Sequence, residues 1–165
     1  PQTVQAVSFQ AISTDDTVEF RFSWDDPTKD VDPPVDGFAL LLKPAGSEGD
    51  VVTLQAWPYP GSPRLDLCYW SADHREIIER LATDFHSVIA RTDPQPTLLQ
   101  GGAQYEDGRW SLVLQRPLQP GSPAGAAVLS PGTFTSIAVV VWDGGNPEAR
   151  AVSPWVDVAM TTGRQ

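Results

Sequence analysis

The chain reads as short apolar segments separated by turn residues. Val18, Phe20, Phe22 and Trp24 alternate with Glu19, Arg21 and Ser23, which predicts a strand with one buried face. The turn Asp25-Asp26-Pro27-Thr28 ends it, and an upstream run from Thr3 to Ile12 is expected to pair with it. Phe38 to Lys43 is continuously apolar, as expected of a strand covered on both faces. Val51–Trp57, Leu65–Trp70, Trp110–Gln115, Phe134–Trp142 and Val152–Met160 complete the predicted strands. Between them, Ile77, Ile78, Leu81, Phe85, Val88 and Ile89 fall at helical spacing. Asp73 and Glu76 stand where a capping box would start that helix. Residues 117–132 are rich in Pro, Gly, Ala and Ser and predict a long loop. The expected fold is mainly β: a β-sandwich with one helix and long loops, in a single domain spanning residues 1–165.

Composition narrows the function classes. The net charge of −10 makes nucleic acid a poor partner and suits either plain solubility or a basic protein partner. No apolar run approaches the roughly 20 residues of a membrane-spanning helix. Cys68 is the only cysteine, which excludes an internal disulfide, a covalent CxxCH haem attachment and a cysteine metal cage. The chain opens Pro1-Gln2-Thr3-Val4 with no visible signal peptide, which fits a mature, processed chain as well as a cytoplasmic one; a periplasmic or otherwise extracytoplasmic compartment is the expectation.

Little in the residue pattern points to catalysis. His74 and His86 lie in no nucleophile or zinc-protease motif, and no catalytic residue is assigned. Gly101-Gly102 and Gly144-Gly145 read as turn glycines. Asp25, Asp26, Asp30, Asp32 and Asp36 form an acidic loop able to hold calcium, but the spacing is not that of an EF-hand and Pro33-Pro34 interrupts it. A solvated turn is the expected reading. His74 is expected near the apolar side of the predicted helix, where it can approach a core or a cofactor edge.

Three segments add a resemblance. They are Val18-Glu-Phe-Arg-Phe-Ser-Trp-Asp-Asp-Pro-Thr28, Gly108-Arg-Trp-Ser-Leu-Val-Leu-Gln-Arg-Pro-Leu118, and Val141-Trp-Asp-Gly-Gly-Asn-Pro-Glu148 followed by Ser153-Pro-Trp155. With Leu65-Asp-Leu-Cys-Tyr-Trp70, they resemble, in order, the haem-binding γ subunits of ethylbenzene dehydrogenase, dimethylsulfide dehydrogenase, selenate reductase and chlorate reductase. The resemblance implies an immunoglobulin-like sandwich and a haem b. It also implies periplasmic assembly with iron–sulfur and molybdopterin subunits, and electron transfer to or from a soluble carrier such as a cytochrome. The methionine and lysine ligands of that family have no counterpart at the matching places: residues 55–63 contain no methionine, and Arg150 stands where the lysine is expected. A guanidinium stays protonated and has no lone pair for iron. Tyr59, Cys68, His74 and Met160 are then the candidate haem contacts, with Arg150 a candidate partner for a propionate. Two alternatives follow. One is a haem-less assembly subunit of such a complex. The other is a carbohydrate-binding sandwich that presents Trp57, Tyr59, Tyr69 and Trp70 to a sugar.

Overall fold

A computed structural model describes residues 4–145 and 150–162, with no side-chain description for 161 and 162. Thr3 and Glu148, which figure in the expectations above, lie outside the described residues.

The expectation of a mainly β, sandwich-like fold holds. The strands are β1 (Val7–Ser13), β2 (Thr17–Asp25), β3 (Gly37–Leu42), β4 (Leu65–Ser71), β5 (Ile77–Ala82), β6 (Thr97–Glu106) and β7 (Arg109–Pro117). They continue with β8 (Phe134–Trp142), β9 (Arg150–Val152), β10 (Val156–Ala159) and β11 (Thr161–Thr162). All of them belong to one curled sheet, ordered β10-β8-β3-β4-β5-β6-β7-β2-β1-β11, with β9 beside β8. Every pairing is antiparallel except β1 with β11.

The sheet doubles over at β6. Thr97–Leu99 pair with β5, whereas Gln100–Glu106 pair with β7. Gly101 sits at the change of partner with φ of +135°, where a Cβ would lie 1.9 Å from the Val113 carbonyl oxygen. Only glycine fits that bend. Folding over brings the inward face of β2 and β7 against β3 and β4. Phe20, Phe22, Trp24, Leu112 and Leu114 meet Phe38, Leu40, Cys68 and Trp70 in one buried cluster. At roughly 1.5–3 kcal/mol for each large apolar side chain removed from water, this cluster contributes a large part of the drive to fold.

The other face of the β3–β4–β8 layer is buried too. Val52, Leu54, Trp57, Phe85 and Val88 cover Ala39, Leu41, Leu67, Tyr69 and Val140. That second cover explains three corrections. The expected strand over residues 51–57 is a loop, with Val52, Leu54 and Trp57 turned inward. The expected helix from Asp73 is mostly strand: 77–82 form β5, and only His86–Ile89 (α1) are helical. Ile77 packs into the inter-sheet core and Ile78 into the outer cluster, so consecutive apolar residues serve two faces of a strand. The expected strand over 152–160 is two strands, broken where the Ser153 hydroxyl accepts the Val139 N–H at 2.9 Å.

Candidate functional site

The fold-over at β6 leaves an open groove of about 660 Å³ at one end of the sandwich. Gly101, Gly102 and Ala103 make one wall nearly bare of side chains. His74 and Arg75, from the β4–β5 connection, and Lys29, from the β2–β3 loop, bring three basic side chains to it. Tyr105 and Trp110 also line the groove. Their rings contact edge-on at 5.1 Å, and Trp110 meets Trp70 at 4.8 Å.

Beside this aromatic wall lies a buried acidic cluster. The Trp110 indole N–H donates to Asp36 Oδ2 at 3.0 Å, and the Tyr105 hydroxyl donates to the Asp26 carbonyl at 2.8 Å. Asp26 and Asp36 are 0% exposed and Asp143 is 7% exposed. The solvated-turn expectation is therefore corrected for Asp26 and Asp36, while Asp25 and Asp32 are exposed. Burial raises the Asp26 carboxyl to about 7, opposed by the Thr28 N–H and reinforced by Asp36, Asp143 and Asp30. Burial also raises Asp36, against hydrogen bonds from Asp30, Gly144 and Trp110.

The sequence-derived candidates are spread over three regions. Cys68 and Met160 are in the inter-sheet core, each 1% exposed. Burial, with Glu79 and Asp66 nearby, pushes the Cys68 thiol well above its usual range, so it stays protonated. Tyr59 is half-buried against the outer cluster, with its N–H donating to Ser62. The Arg150 guanidinium lies over the Phe85 ring at 4.9 Å. His74 is exposed at the groove, 3.8 Å from Asp73, and stands in a loop rather than on a helix. Of the proposed sugar platform, Trp57, Tyr69 and Trp70 are at most 4% exposed and offer no open ring face. The reading of the sequence missed Lys29 and Arg75 as groove residues and Asp143 as a partner of Asp26 and Asp36. The paired glycines inside the apolar-polar run of β6 were the available signal for the groove.

The positions matched to the haem ligands do not suit a haem. Trp57 packs edge-on against Phe85 at 4.8 Å, and Phe85 against Trp142 at 5.4 Å. With Arg150 laid over Phe85, this region is filled by rings and a cation that cannot ligate iron. The groove differs: His74 and Lys29 offer nitrogen donors there, and Arg75 is a cation suited to a carboxylate.

No protein-family model matches the chain. Among curated proteins, it is similar to a Haloferax mediterranei protein named "Putative respiratory nitrate reductase heme subunit ORF7", at 25% identity over 169 aligned positions. The match covers 99% of this chain and 59% of that protein, so the chain spans under two thirds of its relative's length.

Proposed function

We propose that this chain is an accessory subunit of an extracytoplasmic oxidoreductase complex, working beside iron–sulfur and molybdopterin subunits rather than transforming substrate. The observation that carries the reading is the 25% identity, over 99% of this chain and 59% of the relative, to a protein named "Putative respiratory nitrate reductase heme subunit ORF7". The order of the resembling segments supports it. Aromatic packing at the matched haem positions favours a haem-less assembly role. Purification of the tagged chain from its native host is expected to recover larger redox subunits with it. Recovery as a solitary monomer under mild extraction overturns the proposal.

A second reading follows from the groove. There the chain is an electron-transfer subunit whose haem b is held by His74, with Arg75 and Lys29 toward the propionates. Haem would supply one-electron chemistry; the protein would supply a ligand and counter-charges. Absorbance after haem addition separates the two. The assembly reading expects no Soret band of bound haem, and a band abolished by His74→Ala establishes the electron-transfer reading instead.

A further inference from the structure

We infer that Asp26, Asp36 and Asp143 form a calcium site that ties the two ends of the β2–β3 loop to the turn after β8 at the groove end of the sandwich. One ligand oxygen from each carboxylate lies within 4.8 Å of the others. Calcium–oxygen distances are about 2.3–2.6 Å, so oxygens on opposite sides of the ion stand about 5 Å apart, and all three fit one coordination sphere.

The oxygens are already arranged as ligands. Asp26 Oδ1 accepts the Thr28 N–H at 3.1 Å, and Asp143 Oδ1 accepts the Gly145 N–H at 2.9 Å. Asp36 takes the Gly144 N–H on Oδ1 and the Asp30 N–H and Trp110 indole on Oδ2. These bonds fix each carboxylate's orientation. Asp26 Oδ2 is different: it is fully buried and has no hydrogen-bond partner among the described residues. A buried carboxylate oxygen without a partner, in a cluster with two other buried carboxylates, is costly unless a cation or a proton neutralises the group. No arginine, lysine or histidine among the described residues forms an ion pair with any of the three.

The backbone is shaped for the approach. A Cβ on Gly144 would lie 2.2 Å from the Pro34 carbonyl oxygen and 2.7 Å from Asp30 Cβ. Glycine there lets the turn after β8 press against the β2–β3 loop, which delivers Asp143 to Asp26 and Asp36. Asp30 flanks the cluster, with Oδ2 accepting the Thr28 hydroxyl at 2.8 Å. An all-oxygen set drawn from loops suits calcium over zinc, which prefers nitrogen and sulfur donors. The inference does not depend on the redox-complex reading.

The test uses the full chain, stripped with a chelator and dialysed. Calorimetric titration with calcium is expected to show one ion per chain and a raised Tm. Terbium in place of calcium is expected to emit on tryptophan excitation, because Trp110 donates directly to the ligand Asp36. Trp110→Phe should dim that emission while calcium still binds. Asp26→Asn and Asp143→Asn should each weaken binding at least about tenfold. Both retain the oxygen that accepts the Thr28 or Gly145 N–H, so they are expected to fold, as circular dichroism would check. A folded wild-type chain with neither calcium heat nor Tm shift overturns the inference. So does wild-type affinity in both asparagine variants.

Discussion

Two groups of carboxylates are buried in this protein, and they are neutralised differently. Asp66 on β4 and Glu79 on β5 face Arg116 of β7 across the inter-sheet core, and all three side chains are 0% exposed. Arg116 donates to both Glu79 oxygens at 2.9 Å and to the Ala127 carbonyl at 2.9 Å. Among the described residues, no arginine pairs with Asp26, Asp36 or Asp143. The first group is closed by the chain itself, in the middle of the sandwich. The second sits in loops at the sandwich end. Each group keeps one carboxylate oxygen without a hydrogen-bond partner, Asp66 Oδ1 in the first and Asp26 Oδ2 in the second, but among the described residues only the first has a buried cation beside it. A permanent internal cation makes a fixed strut between layers, whereas carboxylates without one make a site that an external cation can fill.

Removing the internal cation should have the largest effect. Arg116→Met leaves Glu79 buried without its counter-charge and is expected to cost about 3–5 kcal/mol, read by urea denaturation. Added calcium should not restore that loss, because the ion acts at the other cluster. Restoration by calcium would show that the two groups are not separate.

A smaller, pH-dependent effect comes from Asp66. Burial, then the neighbouring Glu79, raises its carboxyl to about 8 from an ordinary value near 4, against the Ala127 N–H and Arg116. The folded chain therefore holds a proton that the unfolded chain has lost between about pH 4 and pH 8. Stability contributed by this group is full below that window and falls as pH rises through it. Asp66→Asn mimics the protonated carboxyl and can still accept the Ala127 N–H, which Asp66 takes at 2.7 Å. The variant is expected to stay within about 1–2 kcal/mol of wild type at pH 6 and to show a shallower decline toward pH 8, the remainder belonging to Asp26. An unchanged decline of Tm over that range would place the titrating group elsewhere.

The sequence foreshadowed parts of this contrast. Period-two alternation in β7 places Arg116 on the same face as Trp110, Leu112 and Leu114, a local sign of an inward arginine. Its partners stayed hidden because Glu79 lay in a segment read as helix. The segment misled because β5 is covered on both sides: Ile77, Ile78 and Leu81 match helical spacing while serving a strand. Strands with one clean buried face, such as β2, were legible, and so was the continuous apolar run of β3. β6 was not, since its exposed Leu98 and paired glycines break the pattern that marks a strand. The acidic loop looked solvated because the residue that completes the cluster is far away in sequence. The Gly144 N–H reaches Asp36 across 108 positions, a contact no local pattern encodes.

Asp25 and Asp26 offer the finest test of whether burial makes the difference. They are consecutive in β2 and the turn after it, so the chain turns one side chain out and the next one in. Asp25 is 85% exposed and pairs with Arg109 of β7. Water and salt screen that pair, and Arg109→Ala is expected to cost below about 1 kcal/mol, less still at high ionic strength. It should leave calcium binding unchanged, because the exposed carboxylate is already solvated. A large loss of stability, or of calcium affinity, from Arg109→Ala would mean that the exposed pair helps to hold the buried cluster in place. The sharp contrast between the neighbouring aspartates would then have to be replaced by one charge network spanning both.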